Sequence, residues 1–244
     1  MWMRADLKQR GKLAFKRNYW SAVLTAFVMM IVSGLASGSA TNGSGNNSYT
    51  ETYTYGDSGL GGFGSAAMAT AGIIAATVIM IISILVILFQ IFIGNALLVG
   101  GKNFFVLNQT GTPSARELGH VFRSGNYGNV TLTMFLKDLY EGLWMLLFII
   151  PGIVKHYEYL MIPYILAENP GMNRKEAFMI SKRMMMGQKW EAFVLDMSFI
   201  GWRILETLTL GIVGIFYVEP YYEATVAEMY SFNRSLAYQN GYIR

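Results

Sequence analysis

The most apolar part of the sequence reads Ile73-Ile-Ala-Ala-Thr-Val-Ile-Met-Ile-Ile-Ser-Ile-Leu-Val-Ile-Leu-Phe89. It is the centre of an apolar run over 66–99, and no Asp, Glu, Lys or Arg occurs between Asp57 and Lys102. A helix of that length in a soluble protein needs a polar stripe that faces water. This run has none, and it exceeds the ~20 apolar residues that cross a bilayer. It therefore predicts a transmembrane helix, and an integral membrane protein around it.

The composition agrees with a chain that is solvated largely by lipid. Of its 244 residues, 53% are hydrophobic and only 14% are charged, whereas a soluble domain carries about 25% charged residues. Cysteine is absent, which excludes disulfides and thiolate metal sites. The two histidines, His120 and His156, belong to no metal-binding pattern. We expect a single integral membrane domain over 1–244 that needs no cofactor.

The distribution of positive charge predicts the orientation of the chain. Residues 1–17 carry six Lys or Arg against the single acid Asp6, and a first span follows over 19–36. The next segment, 37–65, is rich in Gly, Ser, Asn and Thr and has no Lys or Arg. Because cytoplasmic segments carry the excess of Lys and Arg, residues 1–17 are expected inside, either as an amphipathic helix or as a solvated tail. The segment 37–65 is then an extracytoplasmic loop.

Two patterns in this loop suggest other structures. Residues 49–55 alternate in a way that could form a strand or a small hairpin, and residues 59–64 match the dinucleotide fingerprint G-x-G-x-x-G. The fingerprint also requires an acidic residue about 20 positions later, where the sequence has none. The helix that follows is membrane-spanning, so we interpret the glycines as loop residues and not as a nucleotide site.

The second half of the chain predicts further membrane helices. Apolar sequence over 130–167 is followed by a basic segment that must lie inside, so it contains an even number of crossings. We expect a hairpin of two spans that turns near 151–155, the second being short and either re-entrant or broken. Another span covers 192–218, and 221–238 is either a sixth, covered helix or a helix along the outer surface. The prediction is an all-α, polytopic transmembrane bundle of about six membrane helices, with amphipathic surface helices and both termini inside.

The basic segment 168–191 is predicted to be an amphipathic helix on the cytoplasmic surface. Asn173, with Glu176 three residues later, resembles a capping box that starts a helix. Basic side chains on such a helix can face the phosphates of anionic lipid. The candidate lipid-facing residues are Arg174, Lys175, Lys182, Arg183 and Lys189.

Six charged residues fall within or beside predicted membrane helices: Lys137, Asp138, Glu141, Asp196, Arg203 and Glu206. Each isolated charge at the membrane centre costs roughly 2.5–3.5 kcal/mol on insertion scales, so these side chains must pair or line a wet cavity. The spacing suggests pairs within a helix, Lys137 with Glu141 and Arg203 with Glu206. Pairing of Lys137 with Asp196 or Glu206 would join helices. A polar cavity open to one face would indicate transport, and tight pairs without a cavity would indicate a structural role.

Several short motifs resemble one family. They are the head with Asn18-Tyr-Trp20, then Ile150-Pro-Gly-Ile153, Pro163-Tyr-Ile-Leu-Ala167, Gly187-Gln-Lys-Trp-Glu191 and Pro220-Tyr-Tyr-Glu-Ala-Thr225. With these motifs the sequence resembles an uncharacterised family of bacterial polytopic membrane proteins, domain of unknown function 975 (DUF975). The resemblance covers nearly the full length except 37–65, which looks like a variable insertion. It implies a multi-pass inner-membrane protein and carries no activity.

A weaker similarity lies inside the chain. Gly152-Ile-Val with Pro163-Tyr164 and Gly211-Ile-Val with Pro220-Tyr221 place similar elements at similar spacing. Such an internal similarity indicates either a duplicated helical hairpin, as in some transporters, or chance similarity in apolar sequence.

The sequence therefore predicts a location better than an activity. We expect a multi-pass protein of the cell's inner membrane with a cytoplasmic N-terminus, which contacts the bilayer and anionic inner-leaflet lipid and no nucleic acid. Its role is small-molecule or lipid transport, or alternatively that of a non-enzymatic scaffold that binds proteins or anionic lipid. The sequence lacks H-E-x-x-H, G-x-S-x-G and cysteine. A catalytic pair of Asp138 with Asp196 would need the carboxylates about 3 Å apart, so we expect no enzyme.

Overall fold

The computed structural model describes residues 2–41 and 61–243, with no side-chain detail for 35–41 and 61–69. This described part is all helical, with no strand, which confirms the predicted all-α class. The expected strand at 49–55 and the start of the glycine motif at 59–64 lie outside the described residues. The helices are α1 (Arg4–Arg17), α2 (Tyr19–Thr41), α3 (Gly61–Phe89), α4 (Asn95–Leu107), α5 (His120–Arg123), α6 (Tyr127–Leu147), α7 (Ile149–Tyr159), α8 (Ile162–Glu168), α9 (Arg174–Met184), α10 (Lys189–Met197), α11 (Ile200–Leu208) and α12 (Glu219–Gln239).

Helices α3 and α4 form one long apolar rod. A π-helical turn, Gln90–Gly94, joins them without breaking the helical path. Over the described residues, Thr70–Leu107 is the one stretch that is long and apolar enough to span a membrane, and its most apolar window is not buried at all. Large side chains such as Ile73 and Leu85 are mostly exposed along this rod. Such exposure is stable where hydrocarbon replaces water around the helix.

Helices α6 and α7 form a tight antiparallel hairpin. The break between them is Phe148, whose backbone is extended (φ −154°, ψ 130°). The predicted turn at 151–155 is therefore wrong, because Pro151 and Gly152 lie inside the first turn of α7. Pro is tolerated there since the first N–H groups of a helix have no intrahelical partner. A Cβ at Gly152 would collide with the Met145 side chain and backbone, so glycine lets the two arms approach.

A second hairpin is made by α10, α11 and α12. The predicted span over 192–218 is not one helix, since α10 ends at Met197 and α11 begins at Ile200. The chain turns through Leu210 and Gly211, both with positive φ (51° and 86°), and returns through a π-helical turn, Gly214–Val218. Gly152 and Gly211 each lie at the end of a hairpin, where the chain reverses, while Pro163 and Pro220 each stand in the first turn of a helix that follows. The two similar sequence motifs thus occupy equivalent places in the two hairpins.

Helix α12 is the centre of the packed core. It contacts α1, α2, α4 and α9, and Tyr230, near its middle, stacks on Tyr164 of α8 with both rings fully buried. A Cβ at Gly11 would lie 2.8 Å from backbone atoms of Thr225, so α1 lies directly on α12. Helix α12 is therefore covered by other helices and does not run along the surface.

The basic segment contains a shorter helix than predicted. Helix α9 covers Arg174–Met184, and the predicted N-cap is confirmed, because the Asn173 side chain accepts a hydrogen bond from the backbone N–H of Lys175 (3.0 Å). Ala177 and Ile180 face the core while Lys175 and Lys182 are exposed. This is the amphipathic pattern expected of a surface helix.

Candidate functional site

A cavity of about 760 Å³ lies between the long apolar rod, α2 and the bases of the two hairpins. Its volume is within the range of ligand pockets, about 300–1,000 Å³. Part of its lining is apolar and comes from α2, α3, α4 and α6: Ala26, Met29, Met30, Val86, Ile87, Leu98, Met134, Phe135 and Leu139. The other part is polar and comes from α4, α6, α7 and α12: Asn95, Lys102, Lys137, Asp138, His156, Glu219 and Glu223. The cavity is therefore amphipathic.

The strongest ion pair in the wall joins α4 to α12. The Lys102 ammonium lies 2.6 and 2.9 Å from the two carboxylate oxygens of Glu223, and both side chains are mostly buried. The same ammonium lies 5.1 Å from the centroid of the Tyr164 ring, a cation–π contact. Each group thereby has the counter-charge that a buried charge requires.

A second polar network joins α4, α6 and α7. Lys137 Nζ lies 3.0 Å from a carboxylate oxygen of Asp138 and 3.0 Å from one of Glu141, so the predicted pair at i and i+4 is confirmed. The other oxygens of these acids contact different helices: Asn95 donates to Asp138 (3.1 Å) and His156 Nδ1 contacts Glu141. The network fixes the base of the first hairpin against the rod.

Arg203 and Glu206 do not pair with each other. The Arg203 guanidinium lies 3.5 Å from the carboxylate of Glu219, across the second hairpin. The Glu206 carboxyl group packs over Gly214, where a Cβ would collide with it. The predicted pairing within α11 is therefore wrong, because the π-helical turn brings α12 and its acid closer to Arg203. Glu219, the partner of Arg203, also lines the cavity.

Asp196 also lies apart from Lys137. Its two carboxylate oxygens accept hydrogen bonds from the hydroxyls of Tyr157 (2.7 Å) and Tyr222 (2.9 Å). This arrangement connects α7, α10 and α12 and rules out the expected ion pair of Lys137 with Asp196. Because Asp138 is occupied by Lys137 and Asn95, the two aspartates have separate partners and form no carboxylate dyad.

The six predicted residues thus divide between places in the fold. Lys137 and Asp138 line the cavity and Glu141 adjoins them, while Asp196, Arg203 and Glu206 hold the second hairpin. Sequence reasoning did not select Lys102, His156, Glu219 and Glu223, which also line the cavity. A signal existed for two of them, since Glu219 and Glu223 are four residues apart on one helix and share a face.

The turns of π-helix adjoin this cavity. Gln90 and Ile91 of the first turn line it, and Glu219 directly follows the second. Gly94 leaves room for the Gln90 side chain, which would collide with a Cβ there. Because π-helical turns insert one residue into a helix, they shift the following residues, Asn95 and Glu219, around the axis toward the cavity.

Most of the candidate lipid-facing residues are exposed and can contact lipid headgroups. Arg174, Lys175, Lys182 and Arg183 are exposed, and Trp190 beside them is 69% exposed. Two of the candidates also contact the buried Glu158: the ammonium of Lys189 lies 2.7 Å from its carboxylate, and that of the exposed Lys182 lies 4.0 Å from it. Lys155 contacts the same acid at 2.9 Å. Lys189 therefore holds α10 to α7 as well as adding positive charge to this surface.

In the part of the chain that the structure describes, no group of three His, Cys, Asp or Glu side chains is placed to hold a metal ion. The acids near the cavity are instead paired with Lys102, Lys137 and Arg203. Chemically, such a wall can bind a zwitterionic or charged headgroup by exchanging one of these pairs for the ligand. The adjacent carbon wall can accommodate an apolar chain.

The fold and cavity define an all-α protein with a candidate membrane span and an amphipathic pocket. Residues 149–236 match the family model described as protein of unknown function (DUF975). This match confirms the resemblance over these residues, from the end of the first hairpin through most of α12. No curated protein matches the sequence, and no solved structure matches it.

Proposed function

We propose that this chain is a multi-pass protein of the bacterial cytoplasmic membrane with its N-terminus inside. The exposed apolar surface of Thr70–Leu107 supports contact with lipid. Helix α2 begins at Tyr19-Trp20, an aromatic pair of the kind found at membrane interfaces. The basic helix α1 precedes it, and residues 37–65 contain no Lys or Arg, which favours this orientation. The about six membrane helices of the expected bundle are then α2, the rod of α3 and α4, and the arms of the two hairpins, with both termini inside.

Within the membrane, the protein binds a small amphiphile and handles or transports it. The observation that carries this proposal is the amphipathic cavity, whose lining is largely apolar on α2 and α3 and combines charged with apolar side chains on α4, α6 and α12. A molecule with a polar head and an apolar tail satisfies both walls, whereas a purely polar solute would leave the carbon wall wet. We expect a role that is not enzymatic, since the sequence has neither H-E-x-x-H nor G-x-S-x-G and contains no cysteine.

A cavity-filling substitution tests this proposal. Gly34 lies in the cavity wall, and a Cβ there has no heavy atom within 4 Å, so Gly34→Leu can fill the cavity without disturbing the packing. Gly72→Leu is the matched control, since Gly72 is exposed on α3 and also has open space at its Cβ. Purified protein is reconstituted in nanodiscs and then released into the gas phase, where native mass spectrometry counts the lipids that remain bound.

We expect the wild type and Gly72→Leu to retain bound lipid. The Gly34→Leu variant should bind lipid at least about tenfold more weakly, a change of about 1.4 kcal/mol in the free energy of binding. Equal retention by all three proteins would contradict amphiphile binding in this cavity. The measurement does not depend on knowing the natural ligand, because phosphatidylglycerol and phosphatidylethanolamine are the probes.

The alternative role, a scaffold that binds anionic lipid or protein partners, is supported by a different observation. Helix α9 presents four exposed basic side chains beside the exposed Trp190. Basic and aromatic residues together are typical of a surface that lies on lipid headgroups. The two roles use separate parts of the molecule and are compatible.

A further inference from the structure

We propose that the two short hairpins are re-entrant: their apolar tips enter the hydrocarbon of the inner leaflet from the cytoplasmic side and return without crossing. The first tip is 142–154 and the second is 207–218. This inference rests on the membrane location proposed above. It changes the topology, since two crossings, by α2 and by the rod of α3 and α4, replace about six.

The tips are apolar and unusually exposed. The segment 142–154 contains no Asp, Glu, Lys or Arg, and neither does 207–218. Leu146 is 85% exposed, Ile150 77% and Leu210 93%. An exposed apolar surface of this kind on a hairpin end requires a partner. The exposed side chains of α2 and α3, such as Leu24 and Ile79, are apolar as well, so one hydrocarbon phase can solvate both.

The length of the arms selects one leaflet. At a rise of 1.5 Å per residue, α6 extends about 14 Å from Asp138 to its end at Leu147, and the arm from Glu219 to Ile212 extends about 10 Å. The hydrocarbon core is about 30 Å thick. Asn95, one helical turn after Ile91 on the rod, donates a hydrogen bond to Asp138 (3.1 Å), so Asp138 and this part of the rod lie at similar depth. From Ile91 the rod continues roughly 32 Å to Thr70, enough to cross the core.

The charges at the bases give the depth of the hairpins. Each uncharged tip is bounded by charged residues on both arms: Glu141 and Lys155 for the first, Glu206 and Glu219 for the second. If α6 crossed the membrane completely, Lys137 and Asp138 would lie near its midplane, where charged side chains are costly. In the re-entrant arrangement they lie at the interface.

Aromatic residues mark the same level. Lys155 lies 5.6 Å from the centroid of the Trp144 ring, and Trp202 packs on Tyr217 with centroids 5.2 Å apart. Trp and Tyr are enriched where hydrocarbon meets headgroups. The charged wall of the cavity is then at headgroup depth, and its apolar wall extends into the leaflet.

The natural absence of cysteine makes a direct test possible. Single cysteines are introduced at the tips by Leu147→Cys and Leu210→Cys, in the rod by Ile79→Cys, and in an exposed polar loop by Thr112→Cys. The full chain is reconstituted in phosphatidylcholine–phosphatidylglycerol vesicles and labelled with bimane. Its fluorescence is quenched with lipids that carry a nitroxide at carbon 5 or carbon 12 of the acyl chain. A membrane-impermeant maleimide is applied to intact and inverted vesicles separately.

We expect both tip cysteines to resist the maleimide from either side and to be quenched at least about twofold more by the deep nitroxide than by the shallow one. Thr112→Cys reacts in one orientation only. Reaction of a tip from the side opposite to Thr112→Cys would overturn the proposal in favour of complete spans. Stronger quenching by the shallow nitroxide would place the hairpins flat on the surface and also overturn it.

Two further outcomes separate this proposal from the one it rests on. If Ile79→Cys is also water-accessible, the membrane location itself fails. If the tips are embedded but lipid retention is unaffected by Gly34→Leu, the re-entrant topology stands and amphiphile binding fails. A third outcome would overturn the proposal itself: if a tip becomes buried only at a high protein-to-lipid ratio, a second copy of the chain covers it.

Discussion

At the scale of single residues, ion pairs between helices and within them neutralise the charged side chains around the cavity. Lys102, Lys137 and Arg203 contact Glu223, Asp138 and Glu219 respectively, and these acids line the cavity. A buried charge without its partner keeps the cost of its desolvation and loses the compensation. The same pairs that stabilise the bundle therefore also determine the charge of the cavity wall.

Removal of one partner of the Lys102–Glu223 pair should be more damaging than removal of both. We expect Lys102→Met to lower the free energy of unfolding by about 2–4 kcal/mol, somewhat below the range for a completely buried pair, because Glu223 is left unpaired. The double variant Lys102→Met, Glu223→Leu should recover most of this loss. Thermal unfolding in detergent measures both effects. Lys12→Met, at an exposed position of α1, is the control, and equal losses in the single and double variants would contradict the prediction.

A second prediction at this scale concerns Glu228, on the part of α12 that faces α1 and away from the apolar tips. Burial raises the pKa of its carboxyl group, with Asp6 adding to the rise and Arg10 and Arg17 opposing it. A raised folded-state pKa means that the neutral acid fits the fold better, so stability falls as the pH rises through that pKa. Glu228→Gln should leave Tm unchanged at pH 4 and raise it at pH 8. Gln9→Ala, at an exposed position of α1, removes no titratable group and should change Tm equally at the two pH values, and a uniform shift for Glu228→Gln would refute the account.

At the scale of elements, three hairpins follow one plan. The first arms begin at Asn18-Tyr19, Asn126-Tyr127 and Gln188-Lys189-Trp190, an amide followed by an aromatic residue. The second arms are all interrupted at the level of the cavity, by π-helical turns at Gln90–Gly94 and Gly214–Val218 and by the break between α7 and α8. The pair formed by α2 and α3 is the version with long arms. The hairpin of α2 and α3 therefore contains a candidate membrane span because its arms are long, and the other two hairpins, which lie wholly within the described residues, contain none because their arms are short.

Helix α9 carries four exposed basic side chains, and the prediction for this helix concerns its electrostatic attraction to anionic lipid. Neutralising Lys175, Lys182 and Arg183 by alanine should lower the local enrichment of phosphatidylglycerol around the protein by about half or more, because each basic residue near an anionic surface contributes about 1 kcal/mol. In a background whose other four tryptophans are replaced by phenylalanine, quenching of Trp190 by brominated phosphatidylglycerol in mixed vesicles measures this enrichment.

The charge-preserving variant Lys175→Arg, Lys182→Arg, Arg183→Lys is its control and should behave as the wild type. The effect should also weaken at high salt. If the alanine variant keeps full enrichment, α9 does not contact anionic lipid and its charges serve only to solvate the surface.

At the scale of the whole molecule, α12 connects the parts. It packs on α1, α2, α4 and α9, carries Glu219 and Glu223 to the cavity, and forms the return arm of the second hairpin. Its buried face contains both small residues and tyrosines, such as Ala227 and Tyr230. The cavity exists because this central helix, the rod and the first hairpin diverge where their π-helical turns and breaks occur. The site is thus a property of the assembled bundle and of no single helix.

The sequence by itself determined the helical class, the long apolar helix, the basic surface helix with its Asn173 cap, the pair of Lys137 with Glu141, and the family resemblance. Those features are local, since apolar length, charge spacing and capping act within a few turns of one helix. Only the tertiary structure decided where the hairpins turn, that Arg203 pairs with Glu219 and Asp196 with two tyrosines, and that Lys102 and Glu223 line a cavity. These contacts join residues up to 121 positions apart, and a charge takes whichever partner helix packing brings near, which spacing along the chain does not encode.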